Sequence, residues 1–162
     1  MTDPVETLCL QCGLCCNGVL FADVRREGSD PSRLFRIHGP RVMQPCPAFH
    51  ADDRTCAIYA DRPSRCCKFE CKQLMAVRAG RESAAAALRK IRKAQKLAGK
   101  AERLLVELGF ADPRLPLDKR FQRCQRAAEQ GKISVENLDR LAELQLTVHR
   151  LNGLLAAEFY TP

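Results

Sequence analysis

The sequence predicts an α-rich chain: an irregular, cysteine-rich N-terminal half followed by a helical hairpin or small helical bundle. Three observations carry that expectation. Nine of the ten cysteines fall between Cys9 and Cys71. Glycines and prolines from Gly13 to Pro63 interrupt that stretch so often that no helical period persists, which leaves loops, short strands and short helices. Beyond it, apolar residues recur at three- and four-residue steps through long segments. The change of character divides the 162 residues into a cysteine-cluster region, 1–75, and a helical region, 76–162.

The helical elements follow in order. Ser83 is placed to cap a helix running to about Leu108, with Gly109 as its stop. Ala87, Ile91, Ala94, Ala98, Ala101, Leu105 and Leu108 share one face of it, and Gly99 is tolerated inside. Asp112-Pro113 and Pro116 make a connection. A shorter helix then runs from about Leu117 to Gln130 and ends at Gly131. Ser134 is placed to cap a last helix, whose stripe is Leu138, Leu141, Leu144, Val148, Leu151, Leu155 and Phe159. Two such stripes pack against each other, against the cysteine-rich half, or against a protein partner or second copy of the chain.

Composition excludes several classes. Hydrophobic residues at 46% and charged residues at 28% exclude a disordered tail. No apolar run reaches the length of a membrane span, and the first residues lack the basic and apolar segments of a signal peptide, so a cytoplasmic chain without membrane partners is expected. Cytoplasmic thiols stay reduced, so ten cysteines point to metal or redox chemistry rather than a disulfide framework. Trp is absent and aromatics are 6%, which gives a base-stacking platform little to build from.

The opening CLQCGLCC places Cys9, Cys12, Cys15 and Cys16 at gaps that let thiolates turn back toward one point, as in zinc knuckles and iron–sulfur ligation. Gly13 relieves the turn. Cys15 and Cys16 are neighbours whose side chains point apart, so they serve different metals or one stands behind the other. Cys46, Cys56, Cys66 and Cys71 follow, and with the opening four they make eight thiols, enough for two four-cysteine sites or one multinuclear centre. Thiolates are soft donors, and four suit zinc as well as an iron–sulfur cluster, so zinc and iron both remain. Cys67 is a spare ligand or a bystander, and Cys124, alone on a helix, packs. His50, between Cys46 and Cys56, is a substitute ligand at most; the plainer reading of it, and of His38 and His149, is an ordinary surface histidine.

These residues carry a resemblance. CLQCGLCC, then Cys46-Pro47, then Cys56-x-Ile58-Tyr59, then Arg62-Pro63-x-x-Cys66 and finally Cys71 resemble the CxxCxxCC cysteine-cluster family, the YkgJ-type zinc- or iron-chelating domain. The resemblance covers about residues 9–71. Cys67 departs from it, standing where the family usually has arginine. The resemblance implies metal ligation by Cys9, Cys12, Cys15, Cys16, Cys46, Cys56, Cys66 and Cys71. A related domain in flagellin lysine N-methylases implies an iron–sulfur centre there. No glycine-rich S-adenosylmethionine motif is present here, so methyl transfer is not carried over.

Three functions are therefore weighed. The first is a metal-binding protein, structural or metal-handling. The second is an iron–sulfur-dependent redox or protein-modifying enzyme, or its accessory subunit, in which Arg62 donates hydrogen bonds to cluster sulfurs. The third is an anion- or nucleic-acid-binding protein. Residues 1–71 carry nine Lys and Arg against nine Asp and Glu, so the formal net charge of +8 belongs wholly to 72–162. Arg89, Lys93, Lys96, Lys100 and Arg103 form one basic stripe, widened by Lys90 and Arg92. Its plainer reading is a solvated helix face, or a counter-charge to a metal centre whose eight thiolates carry about −8 before metal.

Overall fold

The computed structural model describes residues 4–161. The N-terminal half contains α1 (Pro4–Cys12), β1 (Asp23–Arg25), α2 (Arg33–His38), β2 (Arg41–Met43), β3 (Phe49–His50), β4 (Thr55–Cys56), α3 (Ser64–Lys68) and α4 (Lys72–Arg78), with a 3₁₀ turn at Tyr59–Asp61. The C-terminal half contains α5 (Ala84–Glu107), α6 (Leu117–Glu129) and α7 (Leu138–Glu158). Two antiparallel pairs complete it: β1 with β2, register Val24 to Val42, and β3 with β4, register Phe49 to Cys56. The chain is helix-rich, with only these short strands.

Local chemistry explains the long helices. The Ser83 hydroxyl accepts from the Ala86 amide at 3.2 Å and opens α5. Gly109 closes it at φ 88°, with Gly109 N–H donating to Val106 and Phe110 N–H to Leu105, a Schellman stop. The seven residues expected on the inner face are all buried, and Leu104 joins them. Gly99 leaves the helix unbroken. α6 stops the same way, as Gly131 and Lys132 donate to Ala128 and Ala127.

The start of α7 corrects the expectation. Ser134 does not cap it: residues Val135–Asn137 form a 3₁₀ turn, the Ser134 hydroxyl accepts from the Asn137 amide group, and Asn137 stands at the helix N-cap. Leu138 is 49% exposed, while Leu141, Leu144, Val148, Leu151, Leu155 and Phe159 are buried. At 100° per residue Leu138 stands about 100° from the middle of that stripe, which leaves it off the packed face.

α5 and α7 pack as the hairpin, with α6 against α5. Lys100–Glu143 at 2.7 Å and Arg140–Glu107 at 3.2 Å pin the two long helices at their rims. Such exposed pairs fix register more than they stabilise. The main core also takes Leu8, Leu14, Leu20 and Leu74 from the first half, so α1 and α4 lie on α5 rather than apart from it. Arg120 is 8% exposed, and its Nε donates to the Phe110 carbonyl at 2.8 Å, holding α6 to the end of α5. A second, smaller core of Val24, Leu34, Phe35, Val42 and Ala48 lies beneath the β1–β2 pair.

Candidate metal centre

The cysteines are placed by backbone ties from distant parts of the chain. Cys9 and Cys12 sit three residues apart on α1, on one helical face. From α5, the Gln95 Nε2 donates to the carbonyls of Gln11 and Cys12 at 3.0 and 2.7 Å, capping the end of α1. Gly13 follows at φ 66°, and a Cβ there would lie 2.8 Å from the Phe49 ring, so the turn that brings Cys15 and Cys16 round needs glycine on both counts. Cys46 N–H donates to the Cys16 carbonyl at 2.7 Å. Cys56 stands opposite Phe49 on the β3–β4 pair. Cys66 lies on α3, whose Ser64 N–H donates to Asp30 Oδ2 at 2.6 Å, while the Ser32 hydroxyl donates to the Asp61 carbonyl at 2.7 Å.

Cys71 is held through its neighbours. It is the N-cap of α4, which packs on α1. Lys72 N–H donates to the Phe159 carbonyl, and the Lys72 Nζ donates to Ala156 and Ala157 carbonyls. Gln73 Nε2 donates to the Glu158 carbonyl at 2.7 Å. The last turn of α7 therefore fixes the position of a cysteine more than eighty residues earlier.

A cavity of about 140 Å³ lies between these segments, and all eight cysteines line it: Cys9, Cys12, Cys15, Cys16, Cys46, Cys56, Cys66 and Cys71. The ninth does not. Cys67 is exposed, and its Sγ donates to the Arg62 carbonyl at 3.8 Å. Cys124 is buried among the helices, as packing requires. His38, His50 and His149 are exposed and do not line the cavity.

Burial and neighbouring sulfurs raise six of the thiols. Burial pushes the Cys12 thiol up to about 12, and the Cys71 and Cys9 sulfurs add to it. Burial raises Cys9 as well, with Cys71 next. Cys15 is raised well above the ordinary thiol range by burial and then by Cys12, Cys16, Cys9 and Cys71. Cys16 is pushed up to about 12 by burial, followed by Cys46, Cys66, Cys56 and Cys9. Cys66 reaches about 11 through burial and then Cys46 and Cys56. Burial likewise raises Cys46, with Cys56 adding to the effect. Two overlapping neighbourhoods result: Cys9, Cys12, Cys15 and Cys71 act on one another, as do Cys16, Cys46, Cys56 and Cys66, and Cys16 touches both through Cys15 and Cys9.

Three cations border the thiols: Arg54, Arg62 and Arg65 line the same cavity. Arg54 Nη1 donates to the Gln11 carbonyl at 3.3 Å. The Arg62 guanidinium lies over the Tyr59 ring at 3.7 Å, and its buried Nε has no hydrogen-bond partner among the described residues. Gln44, 2% exposed, also lines the cavity with its buried Oε1 unpartnered. Gln44, Arg54 and Gln95 were not singled out by the sequence reading. A polar residue in a loop or on a helix carries no local mark of the carbonyl or cavity it will meet.

Comparison with protein-family models, curated proteins and solved structures returned no match to this chain.

As the side chains lie, no three His, Cys, Asp or Glu among the described residues stand close enough together to hold an ion. The donor set has the softness that zinc and iron prefer: eight sulfurs around one cavity, with the buried Arg62 Nε beside them. Protonated thiols that raise one another's pKa are the groups a divalent cation would deprotonate.

Proposed function

We propose that this protein binds metal, zinc or iron, through the thiolates of Cys9, Cys12, Cys15, Cys16, Cys46, Cys56, Cys66 and Cys71. One set is Cys9, Cys12, Cys15 and Cys71; the other is Cys16, Cys46, Cys56 and Cys66. The observation that supports this reading is that the eight sulfurs border a single cavity. Four thiolates complete the shell of a zinc ion or of an iron–sulfur cluster. Ligation requires the side chains to close further by rotation about their Cα–Cβ bonds. Zinc would supply a rigid crosslink, and an iron–sulfur centre would add electron transfer.

This chain's own residues prepare the site. Gln95 holds the end of α1, and Gly13 lets the chain double back. Lys72 and Gln73 bring Cys71 up against α1 from the other side. Arg62, held against Tyr59, has a buried N–H to donate to sulfur. Arg54 and Arg65 add positive charge where thiolates concentrate negative charge.

The test is anaerobic purification followed by elemental and sulfide analysis and an absorption spectrum. Eight thiolates at four per centre lead to about two zinc ions or about two clusters per chain. Visible absorbance with iron and sulfide selects clusters; a colourless protein with zinc selects zinc. Replacing Cys12 by Ser should remove one centre and Cys56→Ser the other. A folded protein that binds no metal under these conditions, with all ten thiols titratable, overturns the reading.

A further inference from the structure

The outer face of α5 carries a row of cations that the helical core does not use. At the 100° per residue of an α-helix, Arg89, Arg92, Lys93, Lys96, Lys100 and Arg103 fall within an arc of about 100°. Ala87, Ile91, Ala94, Ala98 and Ala101 occupy the opposite, buried side. Lys100 pairs with Glu143 across the hairpin. The other five make no ion pair among the described residues. Arg89, Arg92, Lys93, Lys96 and Arg103 are all exposed. Between Arg89 and Arg103 the one acidic residue is Glu102, which lies outside the arc. Fourteen residues at 1.5 Å each make the row about 21 Å long.

We propose that this row binds the sugar–phosphate backbone of duplex nucleic acid without reading its sequence. Five unpaired cations on a straight, rigid element match a line of regularly spaced phosphates: along 21 Å, B-form DNA presents about six per strand. The surroundings exclude the competing occupants. A membrane-surface helix sets apolar side chains beside its cations, and a protein interface is centred on apolar or aromatic anchors. No large hydrophobic side chain is exposed on α5 before Val106. No aromatic residue lies between Phe69 and Phe110, so single strands find nothing to stack on. The whole chain's net charge of +8 favours the approach of a polyanion. The inference does not depend on metal binding, because the thiol cavity meets α5 only at Ile91, on its buried side.

Fluorescence anisotropy of a labelled random-sequence DNA duplex of about 20 base pairs tests this with the full chain over a range of salt concentrations. Five phosphate contacts give a slope of log K against log salt of about −4.5. The triple variant Lys93→Glu, Lys96→Glu, Arg103→Glu should lose at least about tenfold in affinity and flatten the slope by about 3. A control with the same change in net charge, Arg126→Glu, Lys132→Glu, Arg150→Glu, should bind within about threefold of the parent. Circular dichroism confirms the fold of each. If the triple Glu variant does not fold, the corresponding triple Gln variant replaces it, with the same direction of effect. Duplex binding absent at low salt, equal loss in stripe and control variants, or stronger binding to phosphatidylserine vesicles than to duplex would each overturn the proposal.

Discussion

The α5–α7 hairpin and the cysteine-bearing segment ahead of it solve the same folding problem with different means. In the hairpin, Leu105, Leu144, Leu151, Leu155 and Phe159 are each at most 1% exposed, and burying such side chains contributes roughly 1.5–3 kcal/mol apiece. The segment from Asp23 to Cys71 has a core of five buried apolar residues, one of them alanine. Its short elements are set by polar ties: Ser64 to Asp30, Ser32 to Asp61, Cys46 to Cys16. Ties of this kind contribute about 1 kcal/mol each and leave little margin. The contrast teaches that the thiol-lined cavity stands at the seam between the large core, which gives it Leu8, Leu14, Leu20, Leu74 and Ile91, and the small one, which gives it Val24 and Leu34, so a metal crosslink there would tie the thin core to the thick one.

The largest expected effect would break or confirm that contrast directly. If metal holds the first half, stripping it with a strong chelator should remove on the order of 10 kcal/mol of local stabilisation per centre. Hydrogen exchange should then quicken at Val24, Val42 and Cys46 while α5 and α7 stay protected. Equal loss of protection in both halves would show a single cooperative unit and erase the distinction. Next in size, Leu151→Ala should cost about 3 kcal/mol in denaturant unfolding, with the same loss in metal-loaded and chelated protein. A loss confined to one form would mean the hairpin depends on the cavity.

Gln95→Ala probes the joint between the halves. It removes the two hydrogen bonds that Gln95 donates to the end of α1, leaving the one from Arg54, and should cost about 1 kcal/mol, with metal affinity falling while the circular dichroism of the helices stays the same. Unchanged affinity would mean that Cys12 is placed by other contacts. The smallest effect lies at the far joint. The hydrogen bond from Lys90, with burial opposing it, holds the Glu158 carboxyl below its ordinary 4.5. A depressed folded pKa stabilises the protein above the unfolded value, and that contribution is lost as pH falls through the folded one. Stability should therefore decline on acidification below about pH 4.5, and Glu158→Gln should flatten the decline by about 0.5 kcal/mol, since the pair is partly solvated. An identical acid profile in the variant would remove Glu158 from the joint.

Legibility divided along the same line. The bounds of α5 and α6 were readable because Ser83, Gly109 and Gly131 act within a few residues of themselves. The start of α7 was misplaced because Ser134 had two local options, and the 3₁₀ turn at Val135–Asn137 with its Asn137 contact prevailed over a direct cap. The eight cysteines that line the cavity are the eight that the resemblance pointed to, and Cys67, ambiguous in sequence, turns out to face the Arg62 carbonyl. Which sulfurs neighbour which could not be read, because Cys71 acts on Cys9 and Cys12, and Cys46 on Cys16, across long stretches of chain.

What the sequence by itself determined is the helical half and the concentration of thiols, since apolar period, caps and turn-forming gaps are all short-range properties of the chain. The tertiary structure alone decided how those thiols are grouped and what holds them. Cys71 joins Cys9 and Cys12 because α7 ends where Lys72 and Gln73 can donate to its last carbonyls. Cys12 keeps its place because Gln95 arrives from α5. Contacts between residues more than eighty positions apart follow from the packing of whole elements against a shared core, and no window along the chain contains both partners.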